Sequence, residues 1–245
     1  MSEIGERMKT NYEHRSRYYL TRRVPVIIRV DGRAFHTLTA QMQRPFDENF
    51  VAAMVHAAKA VFGQMQGVKA AYVQSDEASF FLTDYDTLKT EAWFGYNKSK
   101  IETISASLMS VNFCSSIGKS LGRAMVAAMQ PCFDARSFNI PRGEVVNYFL
   151  WRSKDWARNS LSMYCRSYFT DAQLRKKDRN AQHELLKTKG KNWATDLPDV
   201  YKNGTWILGD DRTRTDILPN YSQINEIISS LVNCDAGPVD EDSSE

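Results

Sequence analysis

With 245 residues, 42% hydrophobic and 25% charged, the chain has the balance of a soluble globular protein of one large or two small domains. No apolar run approaches the roughly 18 residues of a membrane helix, the polar start MSEIGERMKTNYEHRSRYYL lacks a signal-peptide core, and the four scattered cysteines form neither a C-x-x-C pair nor a disulfide framework. This points to the cytoplasm and to reduced thiols, while the net charge of +3 hides an asymmetry: residues 235 to 245 hold five acidic and no basic side chains and read as a disordered tail, leaving the rest at +8 (32 basic against 24 acidic residues).

In chain order, VPVIIRV (24–30) is a continuous β-branched run ending at Asp31-Gly32, which predicts a buried strand and a turn. Asp47 is a suitable N-cap for a helix in which Phe50, Met54, Val61 and Met65 share a face and Gly67 supplies the stop. KAAYVQ and ASFFL read as two strands around Ser75-Asp76-Glu77, completing β-α-β-β, the first part of a ferredoxin-like unit. A helical stretch from about Lys98 to Met129 shows Ile101, Ile104, Leu108 and Val111 at helical spacing, and CFDARSFNI (132–140) reads as a fourth strand. Pro141 suits the first turn of a long helix, residues 171 to 189 read as helical and basic, GTWILG reads as a short strand, and YSQINEIISSLVN as a last helix. The expected fold is α+β: a palm-like core over residues 1–140 with an antiparallel sheet and helices on one face, a helical part over 141–234 packed on it, and the acidic tail.

In such a unit the first strand lies antiparallel beside the third, so Asp31 and Asp76 meet although 45 positions separate them. Two carboxylates on rigid strand ends repel unless a cation lies between them, and Mg²⁺ prefers hard oxygen ligands with phosphate nearby. Two such ions about 3.5 to 4 Å apart can activate a hydroxyl and neutralise a leaving phosphate. Gly32 lets the backbone approach a metal or phosphate, and Arg33, His36, Arg44, Lys98 and Lys100 are charges suited to a triphosphate. Asp-Gly and Ser-Asp-Glu are equally ordinary turn chemistry, and by spacing alone that reading stays open.

RVDGRAFHTL (29–38), RPFD (44–47), QSDEASF (74–80), the segment FDARSFNIPRGEVVNYFLWRSKDWARNSL (133–161), KNW (191–193) and LPDVYKNGTW (197–206) together resemble the tRNA-histidine guanylyltransferase superfamily, in its bacterial-type branch of reverse polymerases. The resemblance implies a nucleotidyltransferase that builds 3′-to-5′ on the 5′ end of tRNA, using ATP, GTP and other NTPs, two Mg²⁺ ions and a homotetrameric assembly. Residue by residue it implies Asp31, Asp76 and the Gly32 carbonyl as metal ligands, and Glu77 as an acid that assists catalysis beside them. It implies the backbone of Gly32, Arg33, Ala34, Phe35 and His36 around a triphosphate, with Ser75, Arg44, Asp47 and Lys100 as further nucleotide contacts. Arg44 stands where the family often has lysine. The family's H-I-N-N-L-Y-N motif is A-R-N-S-L-S-M here (157–163), so Asn159 and Leu161 match while Ala157 replaces the histidine. That departure favours template-dependent repair of 5′-truncated tRNA over untemplated guanosine addition to histidine tRNA. Arg152, Lys154 and Arg158 are expected contacts of the tRNA backbone. Two other classes fit parts of the pattern: a non-catalytic RNA-binding protein on a split fold, although the RNP pattern is missing, and a palm-type nucleotide cyclase.

Overall fold

The computed structural model describes residues 3–87, 89–209 and 212–232; the acidic tail and Cys234 lie outside them. Strand β1 (Val26–Gly32) leads through a loop and the short helix His36–Thr39 to helix α1 (Glu48–Phe62), then to β2 (Val68–Gln74) and β3 (Glu77–Leu82). Helices α2 (Lys98–Leu121) and α3 (Arg123–Met129), strand β4 (Phe133–Asn139), helices α4 (Val145–Arg166) and α5 (Arg179–Thr188), strands β5 (Thr205–Leu208) and β6 (Thr213–Arg214), and helix α6 (Tyr221–Leu231) follow. The strands form one sheet in the order β4-β1-β3-β2-β5-β6, every pair antiparallel. The first four have the ferredoxin-like order, and β5 and β6 extend the β2 edge.

Alternation along β1 decides what covers each face. Val26, Ile28 and Val30 point into a core with Phe50, Met54 and Val61 of α1 and Met109 and Phe113 of α2. Ile27 points the other way, into a core with Phe149 of α4, Trp206 of β5 and Ile224 and Ile228 of α6. Both faces are therefore buried, which explains why β1 reads as an unbroken apolar run and not an alternating one. A third cluster, with Ala157, Leu161, Cys165, Leu186 and Trp193, ties the far half of α4 to α5 and the segment after it.

Four expectations change in detail. The stripe of α2 that is buried runs Ile101, Ser105, Met109, Phe113 and Ile117, a strict four-residue spacing, while Ile104 and Leu108 sit at its flank and Val111 is exposed. Serine satisfies itself inside the seam by donating its Oγ hydrogen to the Ile101 carbonyl, 2.6 Å away. The stretch 98–129 is two helices because Gly122 takes φ +87°, and the stretch 171–189 is also two, Asp171–Leu174 and α5, with Lys176 at φ +59° between them. At the entrance to α4, Pro141 caps a 3-10 turn, Arg142–Glu144, before the helix proper begins.

Candidate active site

The β1–β3 register places Asp31 opposite Glu77, and the turn between β2 and β3 contains only Ser75 and Asp76. Ser75 takes the left-handed conformation at φ +46°, and the Gly32 amide donates to the Asp76 carbonyl at 2.9 Å. These two features fold the turn back over the end of β1. A Cβ on residue 32 would lie 2.7 Å from Cγ of Phe35 and 2.9 Å from Cβ of Asp76, so only glycine lets Asp76 approach this closely.

Four acids converge there. On β1, Asp31 has Glu77 as one cross-strand neighbour and Asp134 of β4 as the other, and like charges directly opposite one another are destabilising. Asp134 is paired with Arg136 at 3.2 Å, and Glu77 with Arg152 in a bidentate contact, Nε to Oε1 at 2.8 Å and Nη2 to Oε2 at 2.7 Å. Asp31 and Asp76 have no cationic side chain beside them among the described residues. Burial pushes the Asp76 carboxyl up from its ordinary range, and the neighbouring Asp31 charge pushes it further.

The donor set suits a hard divalent cation. Two half-buried carboxylates and the Gly32 carbonyl are all oxygen ligands, and their small number leaves positions for water and phosphate, as Mg²⁺ requires. No three or more His, Cys, Asp or Glu side chains among the described residues are placed so that together they could hold a metal ion, so a softer, all-protein metal site has no basis there.

The loop after β1 is only partly available to a phosphate. Gly32 and Arg33 already donate their amides, to Asp76 and to the Cys132 carbonyl at 2.9 Å each. Two of the five backbone amides in the segment 32–36 are thus engaged within the protein. The amides of Ala34, Phe35 and His36 have no acceptor among the described residues, and Ala34, at φ +55°, turns the chain so that they lead into a short helix. Arg33 and His36 are exposed beside them, whereas the Phe35 ring is buried against Phe113 and Phe133.

Beside the turn lies a cavity of about 480 Å³, large enough for a nucleoside, whose lining includes Ser75, Arg44, Asp47 and Phe50. The Asp47 carboxylate accepts from the Phe50 amide at 2.9 Å and from the Gln43 amide at 3.0 Å, so it caps α1 and pins the loop before it at once. Sequence reasoning missed the opposite wall, which Trp156, Met163, Arg166 and Ser167 supply. Trp156, Met163 and Ser167 recur at seven- and four-residue intervals, one face of α4 continued past its end, and that periodicity was the available signal. Phe46 joins the two walls through an edge-to-face contact with Trp156, ring centroids 6.3 Å apart, and is backed by Tyr201, on which it stacks at 4.7 Å.

Two further expectations are corrected. Arg152 is buried, gripped by Glu77 and covered by the Trp151 ring at 4.6 Å, so it is an internal countercharge and has nothing to offer an RNA phosphate. Glu77 correspondingly faces α4 and not the open end of the sheet; burial raises its carboxyl while Arg152 opposes the shift. Lys100 is not brought to the strand ends. The Ser110 hydroxyl accepts from the Phe133 amide, opposite Gly32, and Lys100 lies ten residues earlier on the same straight helix, roughly 15 Å away. Lys98 is at that far end too, with its Nζ on the Ser137 carbonyl and on Glu102, at 2.9 Å each. Lys154 and Arg158 are exposed, and Arg158 pairs with Asp155.

The protein-family model described as Thg1, tRNAHis guanylyltransferase, matches residues 5–141. A probable tRNA(His) guanylyltransferase of Drosophila melanogaster is 31% identical over 197 residues, 75% of this chain and 66% of that protein. The tRNA(His) guanylyltransferase of Schizosaccharomyces pombe is 28% identical over 81% of this chain and 80% of its own length. Among solved structures, a bacterial tRNA(His) guanylyltransferase-like protein in complex with ATP superposes with a TM-score of 0.86 at 34% identity, covering 94% of this chain and 99% of that one. Another structure under the same description, in complex with GTP, gives a TM-score of 0.75 at 31% identity, over 92% of this chain and 98% of that one.

Proposed function

The chain belongs to the tRNA(His) guanylyltransferase family, whose members are nucleotidyltransferases, and from that premise we propose that it extends the 5′ end of truncated tRNA in the 3′-to-5′ direction, adding from NTPs the nucleotide that pairs with the strand opposite. The observation that carries this reading is the treatment of the four converging acids: two are paired with arginines of the protein, and two, Asp31 and Asp76, are half-buried without an ion-pair partner among the described residues, next to Ser75, which lines a nucleoside-sized cavity.

The tRNA 5′-monophosphate attacks the α-phosphorus of ATP, forming a 5′-adenylylated end and releasing pyrophosphate. The 3′-hydroxyl of the incoming NTP then attacks the tRNA phosphorus and AMP leaves. Asp31, Asp76 and the Gly32 carbonyl would hold Mg²⁺, two ions in the full reading, which when bound supplies hydroxyl activation and charge neutralisation at phosphate. The amides of Ala34, Phe35 and His36 and the side chains of Arg33 and His36 orient the triphosphate, while Arg44 and Ser75 border the cavity that takes the nucleoside. The relatives solved with ATP and with GTP support nucleotide binding by this fold. A homotetramer in the cytoplasm completes the reading.

Template dependence is favoured over fixed guanosine addition by Ala157. The residue is 2% exposed, inside the cluster with Leu161 and Cys165, so where the family motif has histidine this chain presents no polar side chain to a substrate. The test is extension of tRNAs lacking their first nucleotide, in Mg²⁺, ATP and all four NTPs, with the base opposite the gap varied. Addition of the complementary nucleotide each time is expected. Guanosine addition whatever the opposing base, or on histidine tRNA alone, would overturn the template reading.

A further inference from the structure

Beyond the strand-end site, the loop between the helix Asp171–Leu174 and α5 gathers charge in an unusual way. Residues 171 to 191 hold seven basic and three acidic side chains, a net +4 within a chain whose whole charge is +3. All three acids are engaged elsewhere: Asp171 pairs with Arg166 at 3.1 Å, Asp178 caps α5 by accepting from the Ala181 amide at 2.8 Å, and Glu184 pairs with Lys187 at 2.7 Å. Arg175, Lys176, Lys177 and Arg179 are exposed, and none has an acidic partner among the described residues.

The backbone that carries them is fixed. Thr170 and Gln173 form a reciprocal capping box on one side. On the other, the Lys177 amide donates to the Leu174 carbonyl at 3.0 Å, and the Gln182 side chain donates to the Lys177 carbonyl at 3.2 Å. Leu174, Leu185 and Leu186 anchor the segment on Leu161 and Trp193. Four like charges held together on a pinned loop repel one another, and solvation alone does not require that arrangement. The loop also continues from the outer wall of the nucleoside-sized cavity, because Arg166 and Ser167 line that wall immediately before the segment begins. Along α4, Arg166 lies roughly 20 Å beyond Arg152, which sits beneath the Asp76 turn. That is the scale of a stretch of duplex and not of one nucleotide.

We infer that Arg175, Lys176, Lys177 and Arg179 dock the phosphate backbone of the tRNA substrate, a surface that rests on the proposed function for its partner and takes the place of the buried Arg152. Backbone docking suits a templated reaction, in which base pairing reads sequence and the protein needs to grip only shape and phosphate. The probe is fluorescence anisotropy of a 5′-truncated tRNA titrated with the full-length protein between about 50 and 200 mM salt, for the wild type, R175Q/K176Q/K177Q/R179Q, and the paired controls K176Q/K177Q and K154Q/R158Q. The fourfold variant is expected to lose about 10-fold or more in affinity at low salt, and its log–log salt slope to become shallower by roughly 3 to 3.5, about 0.7–0.9 for each of the four lost phosphate contacts. K176Q/K177Q is expected to exceed K154Q/R158Q in both respects. Circular dichroism and ATP binding check that the variants fold.

An unchanged affinity and slope in the folded fourfold variant, or a larger effect from K154Q/R158Q, would overturn the assignment. A wild type that extends no tRNA but binds this RNA with a slope set by the four cations would sink the proposed function and leave the surface standing.

Discussion

Asp76 and Glu77 are consecutive residues, both raised by burial, yet they belong to two regions with opposite electrostatic solutions. At the strand end, Asp76 meets another carboxylate, and Asp31 adds to its shift. Underneath, Glu77 meets Arg152, with Arg29 at 3.7 Å and Gln74 and Ser79 around the same carboxylate. Because Asp76 lies in the tight turn opened by Ser75 while Glu77 begins β3, one peptide step separates an acid left without a countercharge from an acid completed by an internal one. The difference teaches that acidity at a site does not mark its ligands; what marks them is which acids the protein leaves without a countercharge.

The largest expected effect breaks the first region. D31A or D76A should lower the rate of nucleotide addition on the order of 10³-fold or more while leaving far-ultraviolet circular dichroism unchanged. Extension of a 5′-labelled truncated tRNA at the wild-type rate by either variant would remove the site assignment. The second region should respond in stability. R152M leaves Glu77 buried and unpaired and should cost about 3–5 kcal/mol in denaturant unfolding, whereas R152M/E77L, which removes both charges, should recover most of it. If the double variant were as unstable as the single one, the cluster would be holding the fold by something other than charge pairing.

Much of the framework was legible in sequence because its signals are local. The β-branched run of β1, the Asp47 cap and the polar turn between two apolar strands fix element types, and the split order then brings Asp31 to Asp76. What was not legible depends on direction and distance. Nothing in QSDEASF states that Asp76 faces outward and Glu77 inward, since that follows from the tight turn at Ser75 and from α4 lying across the sheet. Nor does the order of motifs reveal that Lys100, close to the site in sequence logic, rides a helix that carries it roughly 15 Å away. Arg152 looked like a surface cation because its neighbours Lys154 and Arg158 are; only the packing of α4 shows which of the three turns inward. The cavity wall from Trp156 to Ser167 was written in helical spacing but required knowing what the helix faces.

Between the two regions stands Gly32, and G32A sharpens the comparison by moving one against the other. The added methyl would press on Phe35 and Asp76, which should cost about 1–3 kcal/mol as overpacking and displace the turn that carries Asp76. The Glu77–Arg152 pair is anchored from α4 and should keep its place. Addition is therefore expected to fall more steeply than the unfolding free energy implies, measured as kcat on truncated tRNA against chemical denaturation of the same preparation.

The smallest effect separates the two acids by pH. A carboxyl raised in the folded chain binds protons there more tightly than in the unfolded chain, where Asp76 returns to about its ordinary 3.8. The folded state then holds the extra proton in the window above that value, so stability falls as pH rises through it and is regained on acidification. In D76N this part of the dependence should vanish, and without divalent cations the variant should melt above the wild type at neutral pH because the repulsion from Asp31 is gone. Adding MgCl₂ should raise the wild-type melting temperature and narrow that gap, since a cation that binds the folded pair stabilises it by mass action, and it should do less for D76N. R152M should keep the Mg²⁺ response at its lower melting temperature if the two regions are electrostatically separate. Loss of that response in a folded R152M protein would show that the internal countercharge also sets the geometry of the outward pair.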